Sequence, residues 1–280
     1  MKHFILSAFA DEYNSNFEEQ LKALNRFDID YLEIRFVDEK NISRLSDDEI
    51  SRVKELLKKH GIKINSIGSP IGKIALDEDL DAHMKLAEGV FKIANTLDAH
   101  YVRMFSFYPP KGKEITHCRK EVLEALEALL NLADSYGITL CHENEGEIYG
   151  ESPESCLDLL THFGGRLKAV FDMGNFTAGG YDPLHAYALL KPHIAYFHIK
   201  DATLDGAIVP PGAGDAKIKE ILTDYNGDTS NTTFVTLEPH LQDFAGLSAL
   251  TASKLNLPYR YETPQAAFTD AVAKIKEILK

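Results

Sequence analysis

Residues 168–175 read KAVFDMGN, and the interpretation of the whole chain starts from this stretch. An apolar run this short is typical of a buried strand rather than of a helix. The run ends in Asp172, and a carboxylate at the end of a buried strand is costly unless a partner neutralises it. The stretch therefore predicts a strand whose last side chain has a partner nearby.

Three other strand-like runs end in the same way. The run ITLCHE ends in Glu143, IAYFH ends in His198, and TFVTLE ends in Glu238. The four end residues are 29, 26 and 40 positions apart, and each interval has room for one helix and one returning strand. Two glutamates, an aspartate and a histidine at successive strand ends predict a metal site with oxygen and nitrogen ligands.

Short apolar runs alternate with longer amphipathic runs along the whole chain. The predicted strands are 4–10, 31–37, 62–67, 101–105, 138–143, 167–172, 193–199 and 233–238. The predicted helices are 17–27, 47–60, 80–97, 121–136, one that starts near 153, 183–190, 216–222 and 264–279.

Eight consecutive strand–helix units, with no Pro/Ser-rich linker between them, predict an α/β protein in which residues 1–280 form a single (β/α)8 TIM-barrel domain. A dinucleotide-binding sheet is disfavoured because no GxGxxG follows the first strand. Two longer segments after strands, 200–214 and 241–261, lie where barrel enzymes place their chemistry.

Composition excludes several classes of protein. The net charge of −13 argues against a nucleic-acid partner, which would favour an excess of Lys and Arg. Three cysteines without a CxxC pair indicate a reducing compartment rather than a disulfide framework. The apolar run 4–10 is short and is followed by two acids, which favours a first strand over a signal peptide. No apolar run approaches the ~18 residues of a membrane span, so a cytoplasmic protein is expected.

The carboxyl ends of barrel strands meet at one mouth, so Glu143, Asp172, His198 and Glu238 are expected to reach a single ion. Three carboxylates and one imidazole favour Mn²⁺, with Mg²⁺, Co²⁺ and Zn²⁺ as alternatives. Each residue alone is more often a solvated or satisfied group, and only their joint spacing points to a ligand set. Glu145 competes with Glu143 because both have the same strand parity, and Glu143 is preferred because it follows the apolar run directly.

Other polar residues near the strand ends are candidates for substrate binding. Lys200 could hold a substrate oxygen or phosphate, with a solvated lysine as the alternative. Arg103 lies within strand 4, where a buried guanidinium needs a partner. A structural pair of Arg103 with Glu33 on strand 2 is the first interpretation, and substrate contact by Arg103 is the second.

Two histidines and two glycines flank the expected site. His142 and His240 have the opposite parity to the ligand glutamates and are expected to face the helices. Gly212 and Gly214 would let the backbone approach a ligand, although a flexible turn explains them equally well.

The motifs LCHENE, VFDMGN, YFHIKDA and TLEPH resemble those of the sugar phosphate isomerase/epimerase family, the xylose-isomerase-like TIM barrels. YLEIR on strand 2 and VPPGAGD after strand 7 resemble that family as well. The resemblance implies a divalent metal on the four strand-end residues, with Glu143 and Glu238 as the acid/base pair. Asn175 stands where the family's ketose epimerases have a histidine, and it is a second-tier candidate for the sugar contact.

The reaction expected from these residues is proton transfer next to a carbonyl. A metal would stabilise the enediolate, and the two glutamates would remove and return the proton. The expected protein is a manganese-dependent isomerase or epimerase of carbohydrate metabolism that acts on a small sugar or sugar phosphate. Whether it forms a homo-oligomer stays open from these residues.

Three other functions are weighed against this one. A metal-dependent dehydratase of the inosose type, acting on a cyclic polyol, would use a similar ion and base. A DNA-repair endonuclease is disfavoured because strands 3 and 4 end without histidines and the chain is acidic. A non-catalytic sugar-binding barrel would not need four converging ionisable groups.

Overall fold

The computed structural model describes residues 3–228, 232–244 and 255–280. Eight parallel strands form a closed barrel in which each strand pairs with its neighbours in the chain and the first pairs with the last. This confirms the predicted (β/α)8 TIM barrel. The strands are β1 Phe4–Ala8, β2 Tyr31–Ile34, β3 Lys63–Gly68, β4 Tyr101–Met104, β5 Thr139–Glu143, β6 Leu167–Asp172, β7 Ile194–Ile199 and β8 Thr233–Leu237.

Helices surround the barrel. In the described part of the chain they are α1 Phe17–Arg26, α2 Asp47–His60, α3 Leu80–Thr96, α4 Arg119–Tyr136, α5 Pro153–His162, α6 Met173–Ala178, α7 Pro183–Leu190, α8 Ile218–Asp228 and α9 Pro264–Ile278. Local signals explain several boundaries. Ser46 and Glu49 form a capping box at the start of α2, and Gly61 ends that helix in a left-handed conformation. Ser152 caps α5, with Pro153 at its first position.

Strand alternation separates an apolar shell from a polar interior. On β7, Phe197 packs outward against Phe171 and against Tyr225 of α8. The next residue, His198, points into the barrel, where its ring contacts Phe9. Because successive side chains of a strand point to opposite faces, one short strand contributes both to the core and to the candidate site.

The second predicted strand is shorter than expected. β2 ends at Ile34, and a register shift between Leu32 and Glu33 precedes its end. Phe36–Val37 leaves the barrel and pairs with Lys40–Asn41 in a small antiparallel ribbon. Arg35, between the two strands, is thereby turned into the barrel mouth.

The boundary predicted for the helix at 216–222 is wrong. α8 begins at Ile218 because the backbone N–H of Ala216 donates to Asp201 and Lys217 has a positive φ of 57°. Sequence analysis also missed α6, a six-residue helix that starts directly after β6. Its N-cap is Asp172, whose side chain accepts a hydrogen bond from the N–H of Asn175.

The remaining sequence expectations concern the chain as a whole. The three cysteines are buried and form no disulfide. Across the described ranges, no helix combines the length and apolar character that crossing a bilayer requires. The predicted excursion at 241–261 lies in part outside the described residues. The assignment of 1–280 to one domain stays a prediction.

Candidate metal centre

The four strand-end residues converge at the mouth of the barrel. Glu143 ends β5, Asp172 ends β6, His198 lies near the end of β7, and Glu238 follows β8 directly. One potential ligand atom from each lies within 4.8 Å of those from the other three, and none of the residues is more than 2% exposed. The four residues therefore form a compact set of three carboxylates and one imidazole.

His198 is contacted through both ring nitrogens. Its Nδ1 lies 3.1 Å from Oε1 of Glu143 and 3.2 Å from Oε2 of Glu238. Its Nε2 lies 3.1 Å from Oε2 of Glu33, whose other oxygen, Oε1, accepts a hydrogen bond from the Tyr196 hydroxyl. A carboxylate on the far nitrogen is the usual support of a metal-binding histidine, because it fixes the ring and its tautomer. Nδ1 is then the nitrogen that faces Glu143 and Glu238.

This donor set fits a divalent cation. Carboxylate oxygens with one imidazole nitrogen suit Mn²⁺, Mg²⁺, Co²⁺ and Zn²⁺, and the contacts of the described residues do not identify which of these ions is bound. The second carboxylate cluster of the mouth, Glu12 with Glu238 and His240, also has ligand atoms within 4.8 Å of one another. The four-residue set offers one ligand more, and Glu33 supports its histidine in the way that metal-binding histidines are supported, so this set is the candidate metal centre.

Lys200 lies among the carboxylates of the centre. Its Nζ is 3.0 Å from Oδ2 of Asp172, 3.0 Å from Oδ1 of Asn175 and 3.3 Å from Oε2 of Glu238. Burial disfavours the ammonium, but the surrounding carboxylates outweigh burial and raise the pKa of Lys200 above its ordinary value. Burial raises the pKa of Asp172 to about 6 although Lys200 opposes this. Lys200 and Asn175 are thus both placed beside the predicted ligands.

Arg103 pairs with a different carboxylate from the expected one. Its Nη1 donates to Oε2 of Glu143 at 2.7 Å, whereas Glu33 is held by His198 and Tyr196. The expected Arg103–Glu33 pair is therefore wrong. Burial opposes ionisation of Glu143, but His198 and Arg103 outweigh it and lower the pKa of Glu143 to about 2.

Arg35 lies at the candidate site, and sequence analysis missed it. It is 1% exposed, its Nη1 donates to Oε1 of Glu238 at 2.6 Å, and its Nε donates to Asp11 at 3.0 Å. The guanidinium also lies over the ring of Phe9, 4.1 Å from the centroid. Arg35 thus fixes one oxygen of Glu238 and leaves the other directed at His198. The motif YLEIR contained the signal, a charged residue at a strand end.

The two flanking histidines differ in orientation. His240 lines the mouth, with its Nε2 3.4 Å from Glu12 and 3.5 Å from Glu238, so the expectation that it faces the helices is wrong. The chain turns at His240 with a φ of 48°, so strand parity no longer applies there. His142 does not belong to the four-residue set. Its Nε2 lies 3.0 Å from the hydroxyl of Ser106, and burial lowers the pKa of His142 to about 4.

The centre opens into a cavity of about 680 Å³. Glu145, the alternative to Glu143, lies at the rim of this cavity. It pairs with Lys73 at 2.8 Å and not with the four residues of the candidate metal centre. A second cavity, of about 880 Å³, lies at the opposite end of the barrel beside Tyr31, Tyr101 and Phe234. The chemistry-bearing side chains are at the first cavity, at the carboxyl ends of the strands.

The chain belongs to the xylose isomerase-like TIM barrel family, whose model matches residues 21–238. No curated protein sequence matches it. Among solved structures, a D-tagatose 3-epimerase-like protein is 16% identical with a TM-score of 0.75, and the match covers 98% of this chain and 97% of that one.

Two further structures share the fold over their full length. The IOLI protein with a bound zinc atom is 18% identical with a TM-score of 0.74, covering 98% of both chains. The second is the probable 3-DHS dehydratase AsbF of Bacillus anthracis, which is involved in petrobactin synthesis. It is 17% identical with a TM-score of 0.73, and the match covers 100% of this chain and 99% of that one. These likenesses establish the common fold.

Proposed function

We propose that the protein is a divalent-metal-dependent isomerase or epimerase of a sugar or sugar phosphate. The observation that carries this proposal is the convergence of Glu143, Asp172, His198 and Glu238 on one point at the barrel mouth. Three carboxylates buried together need cations beside them, which Lys200 and Arg103 supply in part, and ionisable groups cluster in this way at functional sites.

The four convergent residues would hold the ion. When bound there, it would polarise a substrate carbonyl and stabilise the negative charge that develops when the adjacent carbon loses a proton. Manganese is our first choice of ion. The IOLI structure, which shares the fold, contains a bound zinc atom, and this supports a metal in a barrel of this kind.

Glu143 and Glu238 are the proposed proton acceptors and donors. The pKa of Glu238 is lowered well below its ordinary value: burial opposes this, but Lys200, His240 and His198 outweigh burial. Both glutamates are therefore ionised, which is the form that accepts a proton. Return of the proton from the opposite face gives an epimer, and its return to the neighbouring carbon gives the isomeric aldose or ketose.

Lys200, Arg103 and Asn175 are the proposed substrate contacts. All three line the cavity. The Nε of Arg103 is buried and has no hydrogen-bond partner among the described residues, which leaves a donor available beside Glu143. We further propose a cytoplasmic location, since three buried thiols without a disulfide suit a reducing compartment.

A dehydratase acting on a cyclic polyol is the second candidate. Two observations favour it: the fold is shared with a probable dehydratase, and Asn175 replaces the histidine of the family's ketose epimerases. The same base would remove the proton, and a neighbouring hydroxyl would then leave. Product analysis distinguishes the two, because a dehydratase forms an unsaturated product and an epimerase does not.

Replacing Glu238 tests the proposal. We expect Glu238→Gln to fold but to lose about 10² or more of the rate at which substrate C–H exchanges with deuterated water, because the base is removed. Proton NMR across a panel of ketoses, aldoses, their phosphates and cyclic polyol ketones measures the exchange. The control is Glu147→Gln, an equal charge change at the exposed rim of the cavity. Exchange at the wild-type rate in Glu238→Gln would show that Glu238 is not the base.

A further inference from the structure

We propose that the substrate is an uncharged carbohydrate rather than a phosphate ester. This inference rests on the proposed function and narrows its substrate class. The charged groups and backbone donors around the mouth already make hydrogen bonds or ion pairs within the protein.

Every permanent cation that lines the cavity, within the described ranges, is engaged by a carboxylate. Lys73 lies 2.8 Å from Glu145, and Arg103 lies 2.7 Å from Glu143. Lys200 lies 3.0 Å from Asp172. Phosphate recognition depends on charge-assisted hydrogen bonds from Arg or Lys, and here each such group already makes one within the protein. The Nε of Arg103 that has no partner among the described residues is a single donor and not the two-donor fork that binds a phosphate.

The charge of the inner cluster also disfavours an anion. Nine buried charged residues surround the centre, six carboxylates and three cations: Asp11, Glu12, Glu33, Glu143, Asp172, Glu238, Arg35, Arg103 and Lys200. Their formal charge is −3, and a divalent ion reduces it to −1. Even with its ion, the cluster has no surplus of positive charge to offer a phosphate dianion.

The loop after β7 is a common phosphate site in TIM barrels, together with the loop after β8. Here three backbone N–H groups of the β7 loop, those of Gly212, Gly214 and Ala216, donate to the carboxylate of Asp201 at 2.7, 3.0 and 3.2 Å. A Cβ at Gly214 would lie 2.3 Å from Oδ1 of Asp201, so the loop closes tightly around that side chain. The protein's own carboxylate thus occupies the donors that would bind a phosphate.

Uncharged hydroxyl groups match the polar atoms of the mouth, because a carboxylate oxygen that already accepts one hydrogen bond can accept another. Carboxylate oxygens of Glu143 and Glu238 accept hydrogen bonds from hydroxyls without a charge penalty. The amide of Asn175 both donates and accepts. The cavity of about 680 Å³ has room for a monosaccharide. A polyhydroxy ketone or aldose therefore fits the chemistry of this mouth better than its phosphate does.

The first experiment compares paired substrates with the Mn²⁺-loaded protein. Exchange of substrate C–H with deuterated water is measured for D-fructose and D-tagatose and for their 6-phosphates. We expect kcat/KM to be higher for the neutral sugar by roughly tenfold or more. A faster reaction of either phosphate would overturn the inference and leave the proposed function standing.

The second experiment measures binding and so does not depend on turnover. Glu145→Gln removes the carboxylate beside Lys73, and Glu147→Gln makes the same charge change without altering that pair. Calorimetric titration with inorganic phosphate should give no binding to the wild type or to Glu147→Gln and measurable binding to Glu145→Gln. Phosphate binding to the wild type, or equal binding to the two variants, would overturn the inference. Absence of exchange with every sugar would count against the proposed function instead.

Discussion

At the scale of single residues, the centre depends on how His198 is held. Glu33 fixes Nε2 from one side, and the imidazole then directs Nδ1 at Glu143 and Glu238. The Tyr196 hydroxyl bridges Glu33 and Ser66, so the carboxylate itself is held in turn. This chain of contacts is the kind of support that sets the affinity of a metal site.

Replacing Glu33 by Gln should weaken metal binding without removing a ligand. We expect the affinity for Mn²⁺ or Zn²⁺ to fall by roughly 10- to 100-fold, because His198 loses the carboxylate that orients it. Competition with a chromophoric chelator measures the change. Glu147→Gln is the control, since it makes the same charge change at the exposed rim of the cavity and leaves the contacts of His198 intact. Equal affinity in wild type and Glu33→Gln would contradict this role.

The sequence predicts which residues come together but not which partner each one takes. Glu143, Asp172, His198 and Glu238 were identifiable because each follows or ends an apolar run, which is a local signal. The partners of Glu33 depend on register around the barrel, since Glu33 and His198 are 165 positions apart. His240 was misplaced because a positive φ after the strand is not visible in the pattern of residues.

At the scale of elements, boundaries with local causes were predicted and boundaries with distant causes were not. The start of α2 follows from Ser46 and Glu49, three positions apart. The start of α8 depends on Asp201, which is fifteen positions from Ala216. Capping signals are therefore sufficient where the cap and the helix are neighbours in the chain.

Helix α2 gives a prediction on pH dependence. Lys40 and the Ser46 backbone bind the carboxylate of Glu49 and lower its pKa from 4.5 to about 2. A carboxylate whose pKa is lowered by folding stabilises the protein above its ordinary pKa, and this contribution is lost as the pH falls toward the folded value. Glu49→Gln should therefore lower the Tm at pH 7, and the difference from wild type should shrink between about pH 4.5 and 2.

Thermal unfolding followed by circular dichroism across this pH range measures the difference. Glu55→Gln, an exposed change on the same helix, is the control for general effects of charge. A Tm difference that stays constant from pH 7 to pH 3 would show that the carboxylate of Glu49 is not the stabilising group.

At the scale of the whole molecule, closure of the barrel links the two ends of the chain. β1 pairs with β8 along its full length, from Phe4 opposite Thr233 to Ala8 opposite Leu237. The alternation of strands and helices was sufficient to predict this closed topology, because eight consecutive units without a linker leave no other common architecture. The ligand set then follows from the topology, since the strand ends share one mouth.

Two outcomes are expected from calorimetry of the full chain. A single unfolding transition would support the single-domain prediction, and two separated transitions would contradict it.

Mn²⁺ at a hundredfold excess over its Kd should stabilise the folded chain by about 2.7 kcal/mol, and EDTA should reverse the shift. The control is His198→Ala, whose Tm should respond much less to the ion. An equal shift in the variant would place the ion elsewhere.

Arg35 has a consequence for biosynthesis. Arg35 follows β2, and its guanidinium binds Asp11, which follows β1. It also binds Glu238, which lies 203 positions after Arg35 and follows the last barrel strand. A nascent chain that has not yet emerged as far as β8 holds the guanidinium and most of the pocket wall but not its partner glutamate. Glu238 is thus the last of the proposed ligands and bases to be synthesised, so an unfinished polypeptide on the ribosome cannot begin turnover before β8 has paired with β1.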